Sequence, residues 1–150
     1  MDVEISIAGK RKVLTVLHDT GNTLRNPVDG RPVLVLEQSS LKDLWPAEIN
    51  RILQEKRAPE EKMAKLYQEE IPLTFTLLPF RSVGVPAGLL LAVYSDFIRV
   101  NGKTYPKELI ALSPGSVSDG GGYHGLWGGE ERRFAYERVT EEAVAMDPSA

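Results

Sequence analysis

The sequence predicts an all-β domain interrupted by one helical insertion. Short runs rich in β-branched and aromatic residues recur between glycine, proline and asparagine turn signals, as strands do. The pair Asn101-Gly102 between two such runs is a type I′ hairpin signature. Only residues 39–70 shift to helical spacing. A chain of 150 residues is read as one domain with a real core. That domain covers residues 1–146, with a helical insertion at about 40–69 and a frayed tail at 147–150.

Each element follows from its residues. Val3-Glu4-Ile5-Ser6-Ile7 alternates at period two, as a half-buried strand does. Ala8-Gly9-Lys10 reads as a turn, so the basic cluster Lys10-Arg11-Lys12 is expected in a solvated loop. Lys12 opens a second run to Leu17, and residues 3–17 form a hairpin. Asn26-Pro27 and Asp29-Gly30 mark a turn before Pro32-Val33-Leu34-Val35-Leu36-Glu37, a strand buried on both faces. Ser39 or Ser40 is a candidate cap for a short helix carrying Leu41 and Leu44. Pro46 opens another, with Ile49, Ile52 and Leu53 at helical spacing. Ala58-Pro59-Glu60-Glu61 starts a third, with acids near the positive end of its dipole and Met63, Leu66 and Tyr67 on its inner face.

Strands return at residues 71–80 and 89–94, around the tip Val83-Gly84-Val85-Pro86-Ala87-Gly88. The hairpin over about 78–94 is a flap candidate, because two glycines and a proline punctuate two apolar strands. Residues 97–100 and 103–105 flank Asn101-Gly102, and Glu108-Leu109-Ile110-Ala111-Leu112 is a further strand. The glycine-rich stretch 116–129 reads as loop with a short helix at 123–127, and residues 132–139 as a last strand or helix.

Composition excludes several functions. The chain has no cysteine, so disulfides, thiolate catalysis and cysteine–zinc sites are ruled out. With His18 and His124 as its 2 histidines, no metal site and no cofactor are expected. Net charge is −3 and basic residues are spread, so no nucleic-acid partner is expected. No apolar run approaches the roughly 20 residues that span a bilayer, and Asp2 and Glu4 are unlike a secretory signal. As given, the chain reads as a soluble domain.

The chemistry concentrates at Asp19-Thr20-Gly21-Asn22, at the exit of the first hairpin. All four residue types are turn formers, so a plain turn is the simplest reading. A carboxylate on a rigid strand end, followed by a hydroxyl and a glycine, is also the pattern of an aspartic protease. That chemistry needs two carboxylates about 3 Å apart sharing one proton. One acts as base toward water and the other as acid toward the substrate carbonyl. The chain holds one Asp-Thr-Gly, so the second aspartate must come from a second copy. Thr20 is then placed to hydrogen-bond across a two-fold axis, and Gly21 lets two backbones approach closely. The order of hairpin, Asp-Thr-Gly, strand, glycine-bearing hairpin and buried strand is that of one subunit of a retroviral-type aspartic protease (acid protease) barrel.

The block Leu17-His18-Asp19-Thr20-Gly21-Asn22-Thr23-Leu24-Arg25-Asn26-Pro27-Val28-Asp29-Gly30-Arg31-Pro32-Val33 resembles the protease domain of the sporulation sigma-E factor processing peptidases. Pro79-Phe80-Arg81-Ser82-Val83-Gly84, Gly88-Leu89-Leu90 with Asp96, and Leu109-Ile110-Ala111-Leu112-Ser113 ahead of Tyr123-His124-Gly125-Leu126 support the likeness, which covers roughly residues 3–127. The resemblance implies a homodimeric aspartic endopeptidase of spore-forming bacteria that removes the pro-sequence of the sigma-E precursor after a forespore-derived signal protein acts. It also implies a multi-span membrane domain ahead of the protease domain, at the plasma or septal membrane with the protease domain in the cytoplasm. Residue 3 already begins the first strand here, so the sequence reads as an excised domain or a free-standing relative.

Two positions depart from the pattern. His18 stands where a leucine is usual, and strand alternation points it away from Asp19. The strand behind the catalytic loop carries Ile110 and Ala111, with alanine in place of glycine. Among the other acids, Asp96 reads as a cap or salt-bridge partner, Asp29 as a turn residue and Asp119 as a loop residue. The serines at 113–118 lack a nucleophile elbow, and Gly120-Gly121-Gly122 lacks the lysine of a phosphate loop. The competing reading is a non-catalytic protease-fold module for dimerisation or partner binding. An intact Asp-Thr-Gly argues against it, since a structural role does not require that carboxylate.

Overall fold

A computed structural model describes residues 1–19, 24–82, 85–118 and 120–128. Thr20, Gly21, Asn22, Val83, Gly84 and Asp119, the expected element at 132–139 and the tail at 147–150 lie outside the described residues. The fold is mostly β-sheet with a few helices, in the order strands, helical insertion, strands.

A four-stranded sheet is built from β1 (Asp2–Ile7), β2 (Lys10–Thr15), β7 (Phe97–Val100) and β8 (Lys103–Pro106), in the order β2-β1-β7-β8. Val3, Ile5 and Ile7 are buried, as period-two alternation requires. Both hairpins in this sheet close through two residues at positive φ, Ala8 (50°) with Gly9 (80°) and Asn101 (50°) with Gly102 (77°). That geometry matches the strand twist. The tight first turn corrects one expectation: Lys10 already pairs with Ile7, so Lys10-Arg11-Lys12 lies on β2 rather than in a loop. Lys12 Nζ reaches Asp43 at 2.7 Å, and the Arg11 guanidinium stacks over Phe97.

Val16, buried, carries the chain into the second sheet. This sheet holds β3 (Leu17–His18), β4 (Leu34–Glu37), β5 (Phe75–Ser82), β6 (Val85–Tyr94), β9 (Leu109–Ser113) and β10 (Gly125–Trp127), in the order β3-β10-β4-β9-β6-β5. β4 runs parallel to β9 and antiparallel to β10, and all four of its residues are buried. Its continuous apolar run is explained by that central position. The short helix expected at 123–127 is instead β10. Three residues cannot close a helical turn that satisfies its own backbone, whereas two flanking strands supply the hydrogen bonds.

The six-stranded sheet has two apolar faces. One, with Leu34, Leu36, Val93, Ile110 and Trp127, packs with Val3, Ile5, Ile98 and Val100 of the other sheet into the main core. Tyr105 and Trp127 meet across this layer, their ring centroids 6.1 Å apart. The opposite face carries a smaller cluster of Val33, Val35, Leu78, Ala92, Leu109 and Ala111.

The insertion comprises a 3₁₀ helix over Gln38–Leu44, α1 (Ala47–Gln54) and α2 (Pro59–Tyr67). Leu41, Leu44, Ile49, Ile52 and Leu53 are buried as their spacing requires. Two details differ from expectation. No serine caps the 3₁₀ helix, whose N-cap position is Glu37. In α2 the inner stripe is Lys62, Leu66 and half-buried Met63, while Tyr67 is 84% exposed. Lys62 and Leu66 are one helical turn apart, and a lysine stem buries readily. Trp45 packs against Phe75 of β5 and joins the insertion to the second sheet. No helix among the described residues is long and apolar enough to cross a membrane.

Candidate active site

Asp19 follows directly on β3, at one edge of the six-stranded sheet. Its backbone N–H donates to the Trp127 carbonyl oxygen at 2.8 Å. β10 is therefore the immediate support of the aspartate. β10 is itself held by pairing of Leu126 with Val35 and of Gly125 with Leu36. Gly125 has a specific reason to be glycine: a Cβ there would lie 2.5 Å from both the Val35 carbonyl oxygen and Leu36 Cδ2. Nothing in the sequence pattern showed that packing, because Gly125 sat among loop-type glycines.

The registers align Leu17, Leu126, Val35, Ala111 and Ala92 across successive strands. Alternation puts Asp19 on the same side as Leu17, two residues earlier, and His18 on the other. That side carries the smaller apolar cluster. His18 is exposed, paired in register with buried Trp127. Ile110 and Ala111 are both fully buried, Ile110 in the main core and Ala111 in the smaller cluster. Their strand is separated from β3 by β10 and β4.

The turn ahead of β4 is built around Asn26, which is buried. Its Oδ1 accepts the Val28 N–H at 3.0 Å, and its Nδ2 donates to the Tyr94 hydroxyl at 3.2 Å. This ties the segment between Asp19 and β4 to β6. The sequence marked Asn26 as a turn former and gave no sign of its partner on β6.

The flap candidate is the hairpin of β5 and β6, at the sheet edge opposite β3. Phe80 faces Gly88 across it, and a Cβ at Gly88 would come within 2.9 Å of the Phe80 ring. Val85, Pro86 and Ala87 lie on the backbone of β6. Asp96 and Asp29 each hold a turn by accepting hydrogen bonds, Asp96 in place of the cap or salt bridge expected of it. Asp96 Oδ2 accepts from Ser6 Oγ at 2.8 Å and from the Gly9 N–H at 2.9 Å, fixing the first hairpin turn. Asp29 Oδ1 accepts the Arg31 N–H at 2.9 Å. A further pair was not foreseen: His124 Nδ1 lies 3.6 Å from the largely buried Glu37 carboxylate. Glu37 N–H also donates to the His124 carbonyl at 2.9 Å, so the segment entering β10 is clamped to the end of β4.

The family model of sporulation factor SpoIIGA, a peptidase family, matches residues 1–128. The chain belongs to the SpoIIGA family. It is 29% identical over 132 residues to a protein of Bacillus thuringiensis subsp. kurstaki named as a sporulation sigma factor-processing peptidase, covering 81% of this chain and 76% of the relative. It is also 29% identical over 125 residues to the sporulation sigma-E factor-processing peptidase of Priestia megaterium, covering 79% of this chain and 39% of that protein. The chain thus spans well under half of the second relative's length. No solved structure gives a significant match. In this SpoIIGA-family chain, residues 1–128 contain Asp19, both sheets and the insertion.

Proposed function

We propose that this chain is an aspartic endopeptidase that acts as a homodimer of retroviral-type subunits, each supplying Asp19 to a shared dyad. The observation that carries the reading is the anchored aspartate. Asp19 opens an Asp-Thr-Gly sequence, and its N–H is fixed to the carbonyl of a strand held inside the second sheet. A carboxylate on such a support meets the positional demand of general acid–base chemistry.

In the proposed reaction one Asp19 is ionised and its counterpart protonated. The carboxylate takes a proton from water as the water oxygen bonds to the scissile carbonyl carbon. The other carboxyl group gives its proton to the carbonyl oxygen. The tetrahedral diol then collapses: the protonated carboxyl group gives its proton to the leaving nitrogen, the C–N bond breaks, and the other carboxylate takes a proton from a diol hydroxyl as the C=O bond re-forms, which returns the dyad to its single shared proton. Thr20, Gly21 and Asn22 shape the loop, and the β5–β6 hairpin closes over the peptide. The relatives' names support a sigma-E precursor as substrate. The forespore-derived activating protein and a membrane anchor at the plasma or septal membrane complete the proposal.

Asp19→Ala and Asp19→Asn are expected to abolish cleavage of a sigma-E precursor peptide and to leave circular dichroism and melting unchanged. Turnover at the wild-type rate by purified Asp19→Ala would overturn the aspartic mechanism.

A further inference from the structure

The largest cavity among the described pockets lies away from Asp19, on the helical insertion. It is a groove of about 980 Å³ between the 3₁₀ helix, the end of α1 and the start of α2, with Pro114 at one side. Four cations line it, Lys42, Lys56, Arg57 and Lys62, against the carboxylates of Glu55 and Glu61. The whole chain carries −3, so this is a local reversal of sign.

Both carboxylates are already neutralised. Glu55 Oε2 takes Arg57 Nε and Lys65 Nζ, each at 2.7 Å, and Glu61 takes Arg57 Nη1 at 3.3 Å. Lys42 and Lys56 are exposed and have no acidic partner among the described residues. Lys62 is nine-tenths buried, and its ammonium donates to the Leu53 carbonyl at 2.7 Å. An ammonium has three donors, so two remain for a ligand. A second polar atom is left over beside it: Glu55 Oε1 is buried with no hydrogen-bond partner among the described residues. A buried orphan acceptor is costly unless something supplies a donor.

These remainders select a ligand class. Surplus ammonium groups require carboxylates or another anion. The orphan Glu55 oxygen takes a hydrogen-bond donor, and a peptide backbone N–H supplies one without bringing a second negative charge against this carboxylate, as a phosphate would. Arg57, the side chain best suited to grip a phosphate bidentately, is spent on Glu55 and Glu61. Asn50 Nδ2 and the Ser39 hydroxyl, which also line the groove, suit peptide amides as well. The volume fits several residues of extended chain.

We propose that this groove is a docking site for an acidic polypeptide segment, remote from the scissile bond, through which the peptidase recognises its protein substrate. The recognition role rests on the peptidase reading above, whereas the binding itself does not. Docking there raises the local concentration of the substrate chain at the dyad. Exposed lysines give attraction that salt weakens, and the buried pair gives register.

The test uses the full chain carrying Asp19→Ala, so that no cleavage interferes. A fluorescein-labelled glutamate-rich peptide is titrated by anisotropy, beside a twin with every glutamate changed to glutamine. The glutamate peptide is expected to bind and the twin to bind weakly. Lys42→Glu with Lys56→Glu, two exposed changes that leave the core intact, should weaken binding by about tenfold or more. Lys62→Met, with folding checked by circular dichroism, should weaken it further. Equal binding of both peptides, unchanged binding by the double variant, or displacement of the peptide by millimolar inorganic phosphate would each overturn the proposal. In a chain with Asp19 intact, the double variant should raise KM for an acidic-tailed substrate with kcat unchanged. Absence of any cleavage by the chain with Asp19, Lys42 and Lys56 intact, while it still binds the glutamate peptide, would count against the peptidase reading alone.

Discussion

A methyl group at position 125 would collide with backbone as well as with a side-chain end, since the Val35 carbonyl oxygen and Leu36 Cδ2 would each be 2.5 Å away. Two strands must part to admit it. Gly125→Ala is expected to cost about 1–3 kcal/mol, in the range of overpacked cores, as read by urea unfolding. Cleavage should fall further than stability, because the displaced strand carries the carbonyl that holds Asp19. A variant with wild-type stability and activity would show that β10 does not position the site. Lys62 gives a prediction in pH. Burial holds its ammonium below the ordinary lysine value. Between the folded and unfolded values the unfolded chain binds more protons, so stability rises as pH rises through that window. Relative to Lys62→Met, the wild-type chain should therefore gain stability as pH climbs toward about 10. A flat difference would mean that the folded chain does not depress this group.

The elements that were legible in the sequence are those whose cause is local. Asn101-Gly102 and Gly9 favour their positive φ angles by residue type, and Pro59 with Glu60 and Glu61 encodes a helix start. β10 was not legible, because three residues have no usable period and its neighbours lie far away in the chain, at Leu17 and Val35. The same division holds at the site. Asp19 announces itself by its sequel, whereas the Trp127 carbonyl and the Tyr94 hydroxyl act through long-range contacts that residue type does not encode. Lys62 stands on the inner face where Tyr67 was expected, because a long aliphatic stem serves as core. At this scale the β5–β6 hairpin is the element expected to move. β5 is an edge strand with Pro79 within it, and Gly88 has no side chain to pack. Hydrogen exchange in the free protein should be faster at Gly88 than at Val35 of central β4. Equal protection at the two positions would exclude a mobile flap.

At the scale of the whole molecule, the proposed dyad shared between two copies of a single Asp-Thr-Gly makes a prediction about how activity depends on concentration. Asp19 follows β3, an edge strand of two residues, so the aspartate lies at a border of the sheet. Leu17 in that strand is 42% exposed, an apolar surface that a second copy would cover. Bringing two copies together costs several kcal/mol of lost translational and rotational freedom. Two loops meeting across an axis bury little area with which to offset it. The free domain should therefore be mostly monomeric at low concentration and weakly active. A membrane anchor, as proposed above, would hold two copies close and raise their effective concentration. Fusing the domain to a short dimeric coiled coil should do the same in solution. Specific activity of the free domain is expected to climb with protein concentration until dimers saturate, in step with mass from sedimentation equilibrium. The fused form should be fully active throughout that range. A sample shown to be monomeric that cleaves at a concentration-independent specific activity would rule out a dyad shared between two copies of Asp19.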